Sequence, residues 1–274
     1  MENKQLSLGK LSLNQITTEN WSLAEAVAGC EKADITWISV WRHKIQEKGL
    51  KESKKVIDDA GLKVSSLCRG GMFPGNTATQ RKNNLEDNFR AVEEAAELGT
   101  DVLVLVCGGP VDKHIDDARK WVEEGIEQLV PFAESHGVKL GIEPLHPMYA
   151  ADRSVIVTLD GANRLSEKFA PHQAGVIVDV FHVWWDPALY RQIELAKGRI
   201  LGFHVSDWIV PVPDIFKGRG MMGDGFIDIR RIRQSVEKAG YGGPIEVEII
   251  NQEIWDQPGD QTLGMIKERF LEHV

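Results

Sequence analysis

Between residues 139 and 207 one pattern is laid down three times: KLGIEPLH (139–146), GVIVDVFH (175–182) and ILGFHVSD (200–207). Each is a short apolar run of strand length that closes on a carboxylate and an imidazole. Each is followed by a longer stretch of helical periodicity.

The same alternation runs outward to both ends of the chain. Strands are predicted at 11–16, 35–40, 63–67, 102–106, 139–143, 175–179, 200–205 and 245–249. Helices are predicted at 23–32, 51–60, 84–98, 112–135, 159–169, 187–196, 228–239 and 261–272. In the third helix Phe89, Val92, Ala95 and Ala96 recur at helical spacing before Gly99 stops the run. Strict alternation implies parallel strands joined by crossover helices. With eight units, closure into a barrel is more economical than an open sheet. A nucleotide-binding open sheet would carry a glycine-rich turn after its first strand. Here that place reads ITTENW (16–21), and neither GxGxxG nor GxxxxGK[ST] occurs. No Pro/Ser-rich linker divides the chain. The expectation is a single α/β domain over 1–274, a (β/α)8 TIM barrel, whose typical length of about 250 residues this chain matches.

Composition narrows the partners. The formal net charge of −9 disfavours nucleic acid, which needs a basic footprint. No apolar run approaches the ~20 residues that span a bilayer, so no membrane segment is expected. The first ten residues, MENKQLSLGK, lack an apolar signal core, and Cys30, Cys68 and Cys107 form no CxxC. Together these predict a cytoplasmic protein without disulfides. Cys68 and Cys107 read as small buried residues, and Asp112, Asp116 and Asp117 as a solvated helix start.

Active sites of such barrels lie at the carboxyl ends of the strands. The last four strands bring Glu143 and His146, Asp179 and His182, His204 and Asp207, and Glu246 and Glu248 to that rim. Alternation decides which point inward. Leu201, Phe203 and Val205 are expected to face the helices, which turns Gly202 and His204 into the barrel. Ile245, Val247 and Ile249 are expected outward, which turns Glu246 and Glu248 inward. By the same parity Glu143 lies inward above Gly141, and Asp179 above Ile177. Three carboxylates and one imidazole form a hard, oxygen-rich set suited to one divalent cation, Mn²⁺ first, with Mg²⁺, Co²⁺ or Zn²⁺ as alternatives. Without a cation such a rim would repel itself. Glu246 reads as a paired core carboxylate. Asp207 is a candidate to orient His204 or to meet substrate, and His146 and His182 are candidates to contact substrate oxygens. Trp184, Trp185 and Trp208 cluster near the rim, with Trp185 a candidate sugar platform. Arg69, after the third strand, is a candidate for an anionic or hydroxylated substrate.

The strings IEPLHP, VDVFHVWWDP, FHVSDW and GDGFIDIRRI…GYGGPIEVEIIN resemble the sugar phosphate isomerase/epimerase family. This is the xylose-isomerase-like TIM-barrel group that includes ketose 3-epimerases, hydroxypyruvate isomerases and inosose dehydratases. The resemblance implies a metal held by Glu143, Asp179, His204 and Glu248. Its GYxGxxxxE pattern selects Glu248 over Glu246, in agreement with the parity. It also implies a substrate-covering loop at GRGMMGDGFID, with Arg219 as a contact, and homo-oligomers are common in the group. The chain departs from the epimerase branch in lacking an arginine soon after His204, in carrying His146 where many relatives have Asn, and in its doubled tryptophan.

The implied reaction is isomerisation or epimerisation of a small keto-sugar, or a related polyol carbonyl compound, with Glu143 and Glu248 exchanging a proton through an enediolate. The alternative is a lyase or dehydratase acting on a keto-sugar, keto-glycoside or keto-cyclitol, which shares the first step. DNA-repair endonucleases of the same barrel need a trinuclear rim and a basic face, which the charge and the single-ion ligand count oppose.

Overall fold

The computed structural model describes residues 6–274. Its strands are β1 (Leu11–Asn14), β2 (Trp37–Trp41), β3 (Lys63–Gly71), β4 (Val102–Val106), β5 (Lys139–Ile142), β6 (Ala174–Asp179), β7 (Ile200–Val205), the short β8 (Asp207–Trp208) and β9 (Arg219–Gly220), and β10 (Ile245–Val247). Eight of them close a barrel in the order β1-β10-β7-β6-β5-β4-β3-β2, every neighbouring pair parallel, while β8 and β9 form a small antiparallel ribbon. The expected eight-stranded barrel is therefore the observed one.

The helices are α1 (Leu23–Lys32), α2 (Arg42–Ile45), α3 (Leu50–Asp59), α4 (Ala78–Leu98), α5 (Ile115–Ser135), α6 (Leu159–Ser166), α7 (Val180–Val183), α8 (Leu189–Leu195), α9 (Ile229–Lys238), α10 (Gln252–Trp255) and α11 (Gly259–His273). Local chemistry sets their ends. Ser22 and Glu25 form a capping box at α1. The Thr77 side chain caps α4, and Gly99 ends it in the left-handed region. Among the described residues, no helix is long and apolar enough to cross a membrane.

The third strand runs four residues past the expected 67, so Arg69 lies within it and not after it. Gly70 and Gly71 pair with Leu105 and Val106. At Gly71, with φ of +100°, a Cβ would stand 2.0 Å from the Val106 carbonyl oxygen, so only glycine lets β3 pass so close to β4. Asn88 of α4 clamps this point, accepting from the Gly71 amide at 2.6 Å and donating to its carbonyl at 2.8 Å. The first strand, by contrast, stops at Asn14, whose side chain caps a 3-10 turn over Gln15–Thr18.

One facing differs from expectation. Val176 pairs with Ile200 but Ile177 pairs with Gly202, which leaves Leu201 as an extra residue in β7. Such a bulge breaks the in-out alternation locally. Leu201 accordingly packs inside the barrel beside Ile177, not against the helices. The bulge precedes Gly202, so the alternation beyond it is intact: Phe203 and Val205 join the shell between strands and helices.

The barrel interior has an apolar floor of Cys68, Val102, Val104 and Ile177. Gly141 and Gly202 both face Ile177, and a Cβ on either would lie 2.6 or 2.8 Å from its Cδ1. Two glycines thus accommodate one large side chain, and this floor closes the barrel beneath the polar residues at its upper rim.

Candidate active site

Glu143 follows β5, Asp179 ends β6, His204 lies in β7 and Glu248 follows β10. One ligand atom from each lies within 4.8 Å of all the others, and all four residues are buried. The strand ladder aims them: Asp179 pairs with His204 in register, and beyond β10 the Glu248 amide still donates to Val205 at 3.0 Å. Donors bound to one cation at about 2.0–2.2 Å stand no more than about 4.4 Å apart, so the cluster matches that size with small adjustment. A second observation favours a cation. Glu143 Oε1 and His204 Nδ1 are 3.1 Å apart and fully enclosed, yet neither has a hydrogen-bond partner, and nor does His204 Nε2 on the ring's far side. Buried polar atoms are rarely left so, and a divalent ion between them would serve both.

Electrostatics bind the cluster together. Burial favours neutral Glu143 and raises its pKa, against the pull of His204. Burial likewise raises Asp179, to about 7, although Arg219 opposes it. For Glu248 the penalty of burial is outweighed by Arg219 and then His204, which hold it well below the usual carboxylate range. Burial disfavours a charged His204, but Glu246, Glu143 and Glu248 outweigh it and raise His204 well above its ordinary value.

Arg219 reaches farther in than a loop contact would. It is buried, and its Nη1 donates to Asp179 Oδ2 at 2.8 Å and to Glu248 Oε2 at 3.1 Å. Its Nη2 lies 3.1 Å from His182 Nε2. His182 Nδ1 accepts from the His146 amide at 3.2 Å. Burial, then Arg219, push the His182 pKa well down. A neutral imidazole that accepts at Nδ1 carries its proton on Nε2. Two N–H donors therefore face one another, and an acceptor oxygen lodged against both would satisfy both.

The other expected residues are placed unequally. His182, Arg69 and Arg219 line a cavity of about 140 Å³ with Glu143 and Glu248. His146, Trp185 and Asp207 are not on its wall. Asp207 neither orients His204 nor faces the cavity. Its carboxylate accepts from the amides of Trp208 (2.8 Å), Gly223 (2.9 Å) and Ile227 (3.0 Å), which pins the long loop after β7. Trp185 donates its indole N–H to the His182 carbonyl at 2.8 Å, so it buttresses His182 and offers no free N–H to a sugar. The His146 ring stacks on Trp208 at 5.0 Å, behind the cavity wall. Cys107 is pushed up to about 12 by burial and Cys68 well above its usual range by burial and nearby carboxylates, which suits neither to nucleophilic work.

Sequence reading missed Trp41, Tyr149 and Arg153 on the cavity wall. The last two sit in the loop after β5, and a reading that followed the rim past the strand end would have reached them. It also missed what Glu246 does. Glu246 Oε2 is 3.3 Å from His204 Nε2, while Asn14 (3.0 Å), Ser65 (2.7 Å) and Ser66 (2.7 Å) donate to the same carboxylate.

Comparison with known proteins places the fold. A chain from Sinorhizobium meliloti 1021 is 46% identical and superposes with a TM-score of 0.95 over 97% of this chain and 99% of that one. The IolI protein with a bound zinc atom superposes with a TM-score of 0.84 at 18% identity, over 97% and 98% of the two chains. Among curated relatives, 3-dehydroshikimate dehydratase of Pseudomonas putida is 27% identical over 73% of this chain and 31% of its own length. L-ribulose-5-phosphate 3-epimerase of Salmonella paratyphi A is 24% identical over 70% of this chain and 66% of its own length. The chain thus spans about a third of the one and just under two thirds of the other, and both relatives are named enzymes. The family model described as xylose isomerase-like TIM barrel matches residues 26–269, and the chain belongs to that family.

Proposed function

We propose that this protein is a divalent-metal-dependent isomerase or epimerase of a keto-sugar, in which Glu143 and Glu248 pass a proton through an enediolate. The observation that carries the reading is the buried cluster itself. Two glutamates, one aspartate and one histidine converge within 4.8 Å, with Glu143 Oε1 and His204 Nδ1 lacking partners. Glu143, Asp179, His204 and Glu248 would hold a divalent cation, which would supply polarisation of a carbonyl and so acidify the adjacent C–H.

Glu143 and Glu248 line the same cavity from β5 and β10, which β6 and β7 separate in the barrel wall. One carboxylate takes the proton from the carbon beside the carbonyl, and the C–H electron pair becomes the enediolate double bond. The other returns a proton to the opposite face, which epimerises that carbon, or to the former carbonyl carbon, which isomerises the sugar. The N–H groups of Arg219 and His182 sit where oxygen charge would gather and are fixed before the reaction, which is what makes such donors effective. The apolar floor closes the site from beneath.

The test is a panel of ketoses incubated with Mn²⁺-loaded protein in D₂O, read by NMR. Deuterium at the carbon beside the carbonyl supports the reading. No exchange from any ketose by protein that binds one Mn²⁺ overturns it.

A second reading is favoured by the same donor pair and by the dehydratase among the relatives. After the first proton is removed, the carboxyl that took it would deliver it to a departing β-hydroxyl, which leaves as water with His182 Nε2–H hydrogen-bonded to its oxygen, and the reaction becomes an elimination. Loss of water from the product separates the two.

A further inference from the structure

A hydrogen-bonded chain runs from the cavity wall to the Glu246 carboxylate beneath His204. Trp41 donates its indole Nε1–H to Asn14 Oδ1 at 2.7 Å, and Asn14 Nδ2 donates to Glu246 Oε2 at 3.0 Å. That oxygen lies 3.3 Å from His204 Nε2. The residues come from β2, β1, β10 and β7, which stand side by side in the barrel wall. Asn14, Glu246 and His204 are buried, and Trp41 lines the cavity.

The chemistry of its two ends fixes the orientation of the middle. An indole N–H can only donate and an ionised carboxylate can only accept. Asn14 carries one group of each kind, so only one orientation of its amide serves both neighbours. Turned over, it would set Nδ2 against the indole N–H and Oδ1 against Glu246. No water could relieve either clash, because Asn14 is wholly buried. Its other side-chain contacts are longer: the Ile16 amide and the Ser39 hydroxyl both lie at 3.4 Å. The indole is thus the closer of the two donors that hold Oδ1.

The Glu246 carboxylate accepts only from neutral donors, Asn14, Ser65 and Ser66. Among the described residues no lysine or arginine comes within 4.0 Å of it, and His204 is its one ionisable neighbour at that range. His204 Nε2 makes no hydrogen bond, so the contact acts through charge. A negative group on that side of the ring favours a cation on the other nitrogen, Nδ1, which faces Glu143.

We propose that Trp41 and Asn14 are positioning residues for the metal centre: the indole N–H sets the Asn14 amide, and the amide holds the Glu246 charge beside His204. The inference rests on the reading of Glu143, Asp179, His204 and Glu248 as a cation site.

The experiment is calorimetric titration of Mn²⁺ into the full protein carrying Trp41→Phe, Glu246→Ala or both. Trp41→Phe should weaken binding by about threefold or more, the worth of one ordinary hydrogen bond. Because Trp41 acts through Glu246, it should cause no further loss beside Glu246→Ala. Benzothienylalanine at position 41, which keeps the bicyclic shape with sulfur in place of the N–H, should reproduce the loss seen with phenylalanine. Asn14→Leu should lose at least as much, and if that variant fails to fold the changes at Trp41 decide alone. An unchanged Kd with benzothienylalanine overturns the inference and leaves Trp41 a packing residue. So does a Trp41→Phe loss that persists undiminished beside Glu246→Ala, since its effect would then bypass Glu246. Either result, in a protein that binds Mn²⁺ when unmodified, leaves the proposed function standing. No Mn²⁺ uptake by the unmodified protein removes the cation site and this inference with it.

Discussion

Glu246 holds His204 from below: its Oε2 lies 3.3 Å from Nε2, the ring nitrogen opposite the one that faces Glu143. Asn14, Ser65 and Ser66 supply three further donors to the Glu246 carboxylate, so it is fully engaged beneath the cluster. A carboxylate on the far nitrogen of a ligating histidine fixes its tautomer and raises its basicity. Glu246→Ala is expected to weaken Mn²⁺ binding by about 10- to 100-fold, with Glu246→Gln intermediate because it keeps an oxygen beside Nε2 but not the negative charge. Titration calorimetry checks this. An unchanged Kd in the alanine variant would show that Glu246 merely fills space.

Metal binding should strengthen as pH rises toward neutrality. In the metal-free fold Asp179 titrates at about 7, above its ordinary 3.8, and His204 is raised well above its ordinary 6.5. Between 3.8 and about 7 the folded state holds a proton on Asp179 that the unfolded chain has lost, so this group's contribution to stability falls as pH rises. A cation must displace that proton and the one on His204. The apparent Kd for Mn²⁺ should therefore fall by at least about tenfold per pH unit between about pH 5.5 and 7. A flat profile over that range contradicts the assignment of these two residues as ligands.

Glu143→Gln and Glu248→Gln each remove one of the two proton carriers. Solvent-deuterium exchange into a responsive ketose should drop by about 10²- to 10⁴-fold in each, with circular dichroism unchanged. Near-normal exchange in either variant sinks the paired-glutamate mechanism.

Arg219→Met should act differently with and without metal. Without metal it leaves Asp179 and Glu248 buried with no guanidinium, and breaking such a pair costs about 3–5 kcal/mol. With Mn²⁺ bound, much of that charge is neutralised, so the variant should regain more thermal stability from the metal than the unmodified protein does. Equal melting shifts on adding Mn²⁺ would show that Arg219 does not share the charge of the cluster.

The barrel floor offers a test of packing alone. Ile177→Ala empties space framed by Gly141 and Gly202 and should destabilise by about 2–5 kcal/mol. Gly202→Ala brings a Cβ 2.8 Å from the Ile177 Cδ1 and should cost about 1–3 kcal/mol through overpacking. The two combined should cost less than their sum, measured by urea unfolding. Strict additivity would mean that the two side chains do not compete for one space.

The sequence by itself determined the barrel and the four converging side chains. Alternation of short apolar runs with helical periods fixes the number and direction of the strands, and the period-two pleat turns Glu143, Asp179, His204 and Glu248 to one side because that geometry is local. Leu201 marks the limit of this reasoning. A bulge depends on how two strands register, which neither strand encodes alone. Tertiary structure alone decided the partners. Glu246 meets Asn14, Ser65, Ser66 and His204 across four strands. Asp207 turns away to hold a loop. Arg219 leaves its loop to lie between Asp179 and Glu248. Such pairings join residues far apart in the chain, and their cost or gain is set by burial and by which charges closure of the barrel brings within a few ångströms, which no periodicity records.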